Sequence, residues 1–140
     1  MNYTGIQGEI INMNYTADAH SLVWYFTEDP KLSSKALNAF EQTVEQGIII
    51  IPAVVLAEIM FISQKGRIPL TFRQTLAKIE RLENFEIAPL DIDILEVADT
   101  IEAGLEMHDK LIVATALYLN TSLITKHKQL TELKVVETVW

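Results

Sequence analysis

Four consecutive isoleucines, Ile48–Ile51, stand between Gly47 and Pro52. An unbroken β-branched run closed by a glycine and a proline reads as a strand buried on both faces. Such a strand needs apolar cover above and below. Helices packed on both faces of a parallel sheet supply that cover, and each parallel pairing then needs a crossover connection. The rest of the chain is spaced to fit.

Met13–Ala17 is predicted as a short strand that runs into Asp18 and the apolar stretch Leu22–Phe26, with Asp29 and Pro30 breaking the chain. Ser33 can cap a helix carrying Leu37, Phe40 and Val44 on one face, and Gly47 can end it. A helix follows from Ala53 to about Gln64, stopping near Gly66. Thr71 and Gln74 have capping-box spacing and open a helix to about Glu83. Phe85–Ala88 is a weaker strand. Asp93 and Glu96 form a second capping box, with Ile94, Val97, Ala98 and Ile101 on one face. After an interruption at Gly104, Asp109 leads a helix through Leu119. Ser122–Thr125 is a strand, Leu130–Leu133 a helical turn and Val135–Val139 the last strand. The architecture expected is a three-layer α/β/α sandwich around a parallel sheet of about five strands.

The chain has 140 residues, the size of one domain. Met-Asn-Tyr-Thr occurs at residues 1–4 and again at 13–16, which makes Met13 an alternative start. Residues 1–12 are then an N-terminal extension and 13–140 the domain. There is no cysteine, which excludes a disulfide scaffold, a thiolate metal site and a cysteine nucleophile. With no signal peptide at the N-terminus, a cytoplasmic location is expected. Ile48–Ile62 is too short to span a membrane and contains Pro52 and Glu58.

Eleven bases against 19 acids give a net charge of −8, which disfavours non-specific nucleic-acid binding. The charge is unevenly placed. Residues 82–109 hold nine acids and no base, whereas Lys65, Arg67, Arg73, Lys78 and Arg81 fall within seventeen residues. A local basic surface on an acidic protein is therefore open, as is a merely solvated helix face.

Ligands of open parallel sheets bind beyond the carboxyl ends of the strands. Asp18 follows the first strand directly, as either a helix cap or a site residue. Glu58 has only Val54, Val55, Phe61 and Ile62 at helical spacing, so its carboxylate shares no polar face. Burying it unpaired is costly, so it is expected to meet a cation, a metal or a partner, or to line a pocket; the alternative is a helix on the rim whose Glu58 reaches solvent. Asp109 opens a helix, and His127 follows a strand; alone, each also reads as a cap or a loop residue. Taken together, clustered carboxylates repel unless they share protons or divalent cations. Oxygen donors suit Mg²⁺ or Mn²⁺, which can activate water for phosphodiester cleavage. Glycine-rich phosphate loops, a His-Glu-x-x-His helix and a nucleophile elbow around Ser21 are absent from the sequence. Trp24 and Tyr25 read as core or rim aromatics.

The stretch from Tyr15 through Asp18, His20 and Leu22 to Trp24 resembles the opening of PIN-domain ribonucleases of the VapC toxin type, commonly an apolar strand followed by Asp-Thr-His-x-Leu-x-Trp. Ile51–Ile59, with Glu58, resembles the family's second motif; Met107–Ala116, with Asp109, the third; and Leu123–Lys128, with His127, the fourth. The match runs in order from Met13 to Trp140. The resemblance implies a PIN fold and a metal-dependent endoribonuclease leaving 5′-phosphate and 3′-hydroxyl ends. Asp18, Glu58 and Asp109 would hold Mg²⁺ or Mn²⁺ and position the attacking water. It further implies a homodimer and an inhibitory antitoxin, whose C-terminal segment lies over the active-site groove. Lys65, Arg67 and Arg73 are candidate RNA contacts.

Two departures stand out. The fourth motif normally reads Thr-x-Asp, and here it reads Thr125, Lys126, His127. The Ser or Thr often found just before the second motif's Glu is also missing. An imidazole in place of a carboxylate can bind metal but adds no negative charge. The competing expectation is a catalytically impaired PIN-like domain that persists as a dimerising or antitoxin-binding protein.

Overall fold

A computed structural model describes residues 13–140; the extension proposed for residues 1–12 lies outside the described residues. The elements run β1 (Tyr15–Ala17), α1 (Ala19–Phe26), α2 (Ser34–Gln46), β2 (Ile49–Pro52), α3 (Ala53–Gln64), α4 (Phe72–Arg81), β3 (Phe85–Ala88), α5 (Ile92–Asp99), α6 (Met107–Tyr118), β4 (Ser122–Ile124), α7 (Lys128–Leu133) and β5 (Thr138–Val139). All four strand pairings are parallel, and the sheet order is β3-β2-β1-β4-β5.

The isoleucine run behaves as its composition dictates. Ile49, Ile50 and Ile51 point alternately to opposite faces of β2, and all three are buried. Both faces of the sheet are therefore covered, as the three-layer expectation requires. On one side, Tyr25 stacks on Phe40 with ring centroids 4.2 Å apart, and Phe85 lies alongside. Tyr25, read from sequence as a core or rim aromatic, is half-buried and packs against the core. Gly47 sits where a Cβ would collide with the Met13 carbonyl, so only glycine lets the turn into β2 lie against the start of β1. The Ile48 N–H donates to Asn14 Oδ1 at 2.9 Å, completing that junction.

Ser33 caps α2 by accepting from the Ala36 N–H at 3.1 Å. Thr71 and Gln74 form the full reciprocal capping box of α4. Several boundaries differ from expectation: β1 starts at Tyr15, α4 ends at Arg81, β4 ends at Ile124 and α7 starts at Lys128. Asp91, not Asp93, caps α5, because Asp91 has the extended backbone and its Oδ1 accepts from the Ile94 N–H at 3.1 Å. Helix α6 starts at Met107 with Glu106 at the cap position, so Asp109 lies inside the first turn. The last strand shortens to Thr138–Val139. Among the described residues, no helix is long and apolar enough to cross a membrane.

The strand order reverses on either side of β1, with β2 and β3 to one side and β4 and β5 to the other. Such a reversal opens a crevice beyond the carboxyl ends of the central strands. Asp18 leaves β1 there, and Thr125, Lys126 and His127 leave β4 beside it.

Candidate metal centre

Asp18 is the first residue beyond β1. Its Oδ1 accepts from the Ser21 N–H at 2.9 Å and so caps α1. The Asp18 N–H donates to the Ile124 carbonyl at 3.3 Å, and Ser21 Oγ donates to the same oxygen at 3.1 Å. The start of α1 is thereby tied to the end of β4. Capping and a site role are compatible here, since one carboxylate oxygen is bound to backbone and the other is not.

Glu58 sits midway along α3, with its side chain 22% exposed. Burial pushes its carboxyl above the usual glutamate range. His108 and His20 pull it back down, while the charges of Asp18 and Asp109 push it further up. Of these four groups His108 is in contact, its Nε2 lying 3.9 Å from a Glu58 carboxylate oxygen. The apolar helical neighbours of Glu58 anticipate the direction of this shift.

Asp109 projects from the first turn of α6, its side chain only 11% exposed. His108 Nε2 lies 3.6 Å from one of its carboxylate oxygens, and His127 Nε2 lies 3.2 Å from the other. His127 is positioned by its own backbone, whose N–H donates to Thr125 Oγ1 at 3.0 Å. His108 reaches two further carboxylates, Glu106 at 3.4 Å and Glu58 at 3.9 Å.

The structure thus joins Asp109 to His127, and Glu58 to Asp109 through His108. Among the described residues, the group whose ligand-capable atoms all lie within 4.8 Å of one another is Glu106, His108 and Asp109. Asp18, Glu58 and His127 stand outside that tight group. His108 and Glu106 are the residues that sequence reasoning missed. In the sequence His108 is only a neighbour of Asp109, and nothing shows that it faces α3. Glu106 makes no side-chain capping bond, so it leaves no capping signature.

The basic candidates lie elsewhere. Lys65 is the C-cap of α3, with its Nζ 4.8 Å from the Phe61 ring centroid. Arg67 follows the turn at Gly66, and Arg73 is exposed on the first turn of α4. A cleft of about 640 Å³ is lined by Trp24, Tyr25, Phe26, Lys78 and Arg81 among others, and by none of the four predicted metal ligands.

The donor set fits a divalent cation. Among the described residues, no lysine or arginine pairs with Asp18, Glu58 or Asp109; only imidazoles approach Glu58 and Asp109. Three carboxylates with raised proton affinity on one of them are the arrangement expected when the compensating charge is a bound ion.

The chain matches the family model of the PIN domain over residues 15–136 and belongs to that family. No curated protein matches it by sequence. Among solved structures it is similar to VapBC2 from Rickettsia felis bound to a DNA fragment from its promoter, at 18% identity and a TM-score of 0.67, covering 89% of this chain and 96% of that one. It is also similar to a toxin–antitoxin complex from Klebsiella pneumoniae, at 24% identity and a TM-score of 0.62, covering 87% and 94%. A third likeness is to VapBC-1 from nontypeable Haemophilus influenzae, at 18% identity and a TM-score of 0.61, covering 89% and 96%. At these identities the likeness is one of fold.

Proposed function

We propose that this PIN-domain protein is a metal-dependent endoribonuclease and the toxin of a toxin–antitoxin pair. The observation that supports the proposal is that His108 links Glu58 to Asp109, while Asp18 leaves β1 at the carboxyl edge of the sheet, with no lysine or arginine paired to any of the three among the described residues. Asp18, Glu58 and Asp109 would hold Mg²⁺ or Mn²⁺, with His127 and His108 as imidazole donors. The bound ion would supply an activated water and charge compensation at the leaving oxygen. Asp18 is held rigid by its bond to Ser21 and can orient that water. His127 and His108 fix the Asp109 carboxylate from both sides. Attack by water at phosphorus, with departure of the 3′ oxygen, leaves 5′-phosphate and 3′-hydroxyl ends.

Solved structures similar in fold to this chain include a toxin–antitoxin complex, which supports an antitoxin as its protein partner. A homodimer is proposed through α3, where Met60 and Phe61 expose 37% and 58% of their surface. Lys65, beside Phe61, and Arg67 and Arg73 remain proposed RNA phosphate contacts. A cytoplasmic location accords with these partners.

One observation favours the non-catalytic alternative. His127 stands where the family has a carboxylate, and its imidazole already engages an Asp109 oxygen. Cleavage of single-stranded RNA by antitoxin-free protein, with and without Mn²⁺, tests between the two. Metal-dependent cleavage that Asp18→Asn abolishes supports the nuclease; none under any metal supports the alternative.

A further inference from the structure

Every indole of this chain lies in one place. Trp24 and Trp140 are its only tryptophans, 116 residues apart in sequence, and their ring centroids are 5.9 Å apart. His20 adds a third ring, 5.6 Å from Trp24. Lys126 Nζ lies 5.7 Å and Lys31 Nζ 5.9 Å from the Trp24 ring centroid. We propose that His20, Trp24 and Trp140, flanked by Lys126 and Lys31, form a docking strip that leads single-stranded RNA into the carboxylate cluster. This rests on the nuclease reading above and names the side chains that would hold its substrate.

The strip is continuous with the centre. His20 lies one helical turn before Trp24 on α1 and two residues after Asp18. On the other side, the Thr125 N–H donates to the Val139 carbonyl at 3.2 Å, which seats Trp140 beside the exit from β4. Lys126 and His127 follow in that exit, and His127 touches Asp109. The strip therefore begins at the proposed ligands and runs outward over α1 and the end of β5.

Its chemistry is that of a base-stacking platform. Both indoles are only half-buried, although the core around them fully buries Leu22 and Phe40. The rings are tilted at 50° and 59° rather than stacked, so they do not seal one another's faces. Bases stack on such faces without regard to sequence. The lysines matter on a chain of net charge −8. Lys126 has no ion pair among the described residues, and Lys31 pairs only with Asp29, at 3.7 Å. Exposed cation–π contacts are weak and can give way to a phosphate. Trp24, expected from sequence to be a core or rim aromatic, is thus a rim residue with a use.

The test is binding of a ten-nucleotide single-stranded RNA in EDTA, where cleavage is suppressed. Indole emission of the full chain reports binding directly, since both tryptophans belong to the strip. Quenching is expected on binding. Trp140→Leu and Trp24→Leu are each expected to weaken affinity about 5- to 150-fold, the range for loss of one stacked base. Trp140→Phe should stay within about threefold of wild type. Lys126→Gln should reduce the slope of log affinity against log salt by about 0.7. A duplex of the same length should bind more weakly than the single strand. If Trp24→Leu fails to melt cooperatively, Trp140→Leu at the end of β5 carries the comparison. Unchanged affinity in Trp140→Leu, equal binding of duplex and single strand, or no RNA binding by wild type would each overturn the strip. A strip serving a peptide would give the first of these results. Thermal stabilisation of the same preparations by Mn²⁺ keeps the two readings apart. Metal stabilisation without strip-dependent RNA binding defeats the strip alone, and its absence in wild type defeats the metal centre.

Discussion

His127 Nε2 contacts Asp109 Oδ2 at 3.2 Å. The carboxylate that the family places at position 127 would repel Asp109; this imidazole instead holds it. The exchange makes the cluster easier to assemble without metal and less attractive to a second cation. Imidazole also favours Mn²⁺ and later transition metals over Mg²⁺.

His127→Asp is therefore expected to raise Mg²⁺-dependent RNA cleavage, and to narrow the advantage of Mn²⁺ over Mg²⁺ expected of wild type. The magnitude expected is about tenfold, the scale of one lost metal-site charge or partner. Cleavage rates of the two proteins under each metal decide it. Equal rates under both metals would mean that position 127 does not shape the site.

Glu58 gives a prediction about stability and pH. Its folded pKa is raised above the unfolded value, so the folded state binds the extra proton between the two. Stability from this group is then present at acid pH and is lost as pH rises through the raised folded value. Metal-free Glu58→Gln should therefore melt higher than wild type at pH 7, by roughly a few degrees. The gap should close toward the ordinary glutamate range. Thermal denaturation across pH in EDTA measures this, and a Gln variant less stable than wild type at pH 7 would contradict it.

The same residue should report metal. Saturating Mn²⁺ is expected to raise the melting temperature of wild type, by about 2.7 kcal/mol of stabilisation at 100 times the dissociation constant. Glu58→Gln should lose most of that rise. Parallel melts with and without millimolar Mn²⁺ give the answer.

Assembly is expected to depend on α3. Phe61 is 58% exposed next to Met60, on a helix with little polar surface. Wild type should sediment as a symmetric dimer at high micromolar concentration, and Phe61→Glu should shift it toward monomer. A wild type that is monomeric at that concentration would count against the interface.

Much of the fold was legible because its signals are local. Ser33, Thr71 and Gln74 form the caps their spacing announces, and Ile49–Ile51 need no partner to declare a buried strand. The errors come where two residues offer the same signal. Asp91 and Asp93 both stand at the start of α5, and only the extended backbone at Asp91 lets its side chain reach the Ile94 N–H. Asp109 resembled a cap, but α6 begins a turn earlier behind Glu106, whose side chain makes no capping bond. The least legible features depend on packing between distant segments. His108 faces Glu58 only because α3 lies against α6. Trp140 reaches Trp24 only because β5 pairs with β4.

The central claim is that Asp18, Glu58 and Asp109 act together as a metal-dependent ribonuclease centre. The most direct measurement is cleavage of single-stranded RNA by purified, antitoxin-free protein in Mn²⁺, comparing wild type with Asp18→Asn prepared identically. Wild type is expected to cleave, leaving 5′-phosphate ends, with activity lost in EDTA and reduced at least a hundredfold in Asp18→Asn, as for removal of a group acting in the transition state. Equal cleavage by the two proteins, or none by a folded wild type that binds Mn²⁺, would contradict the claim.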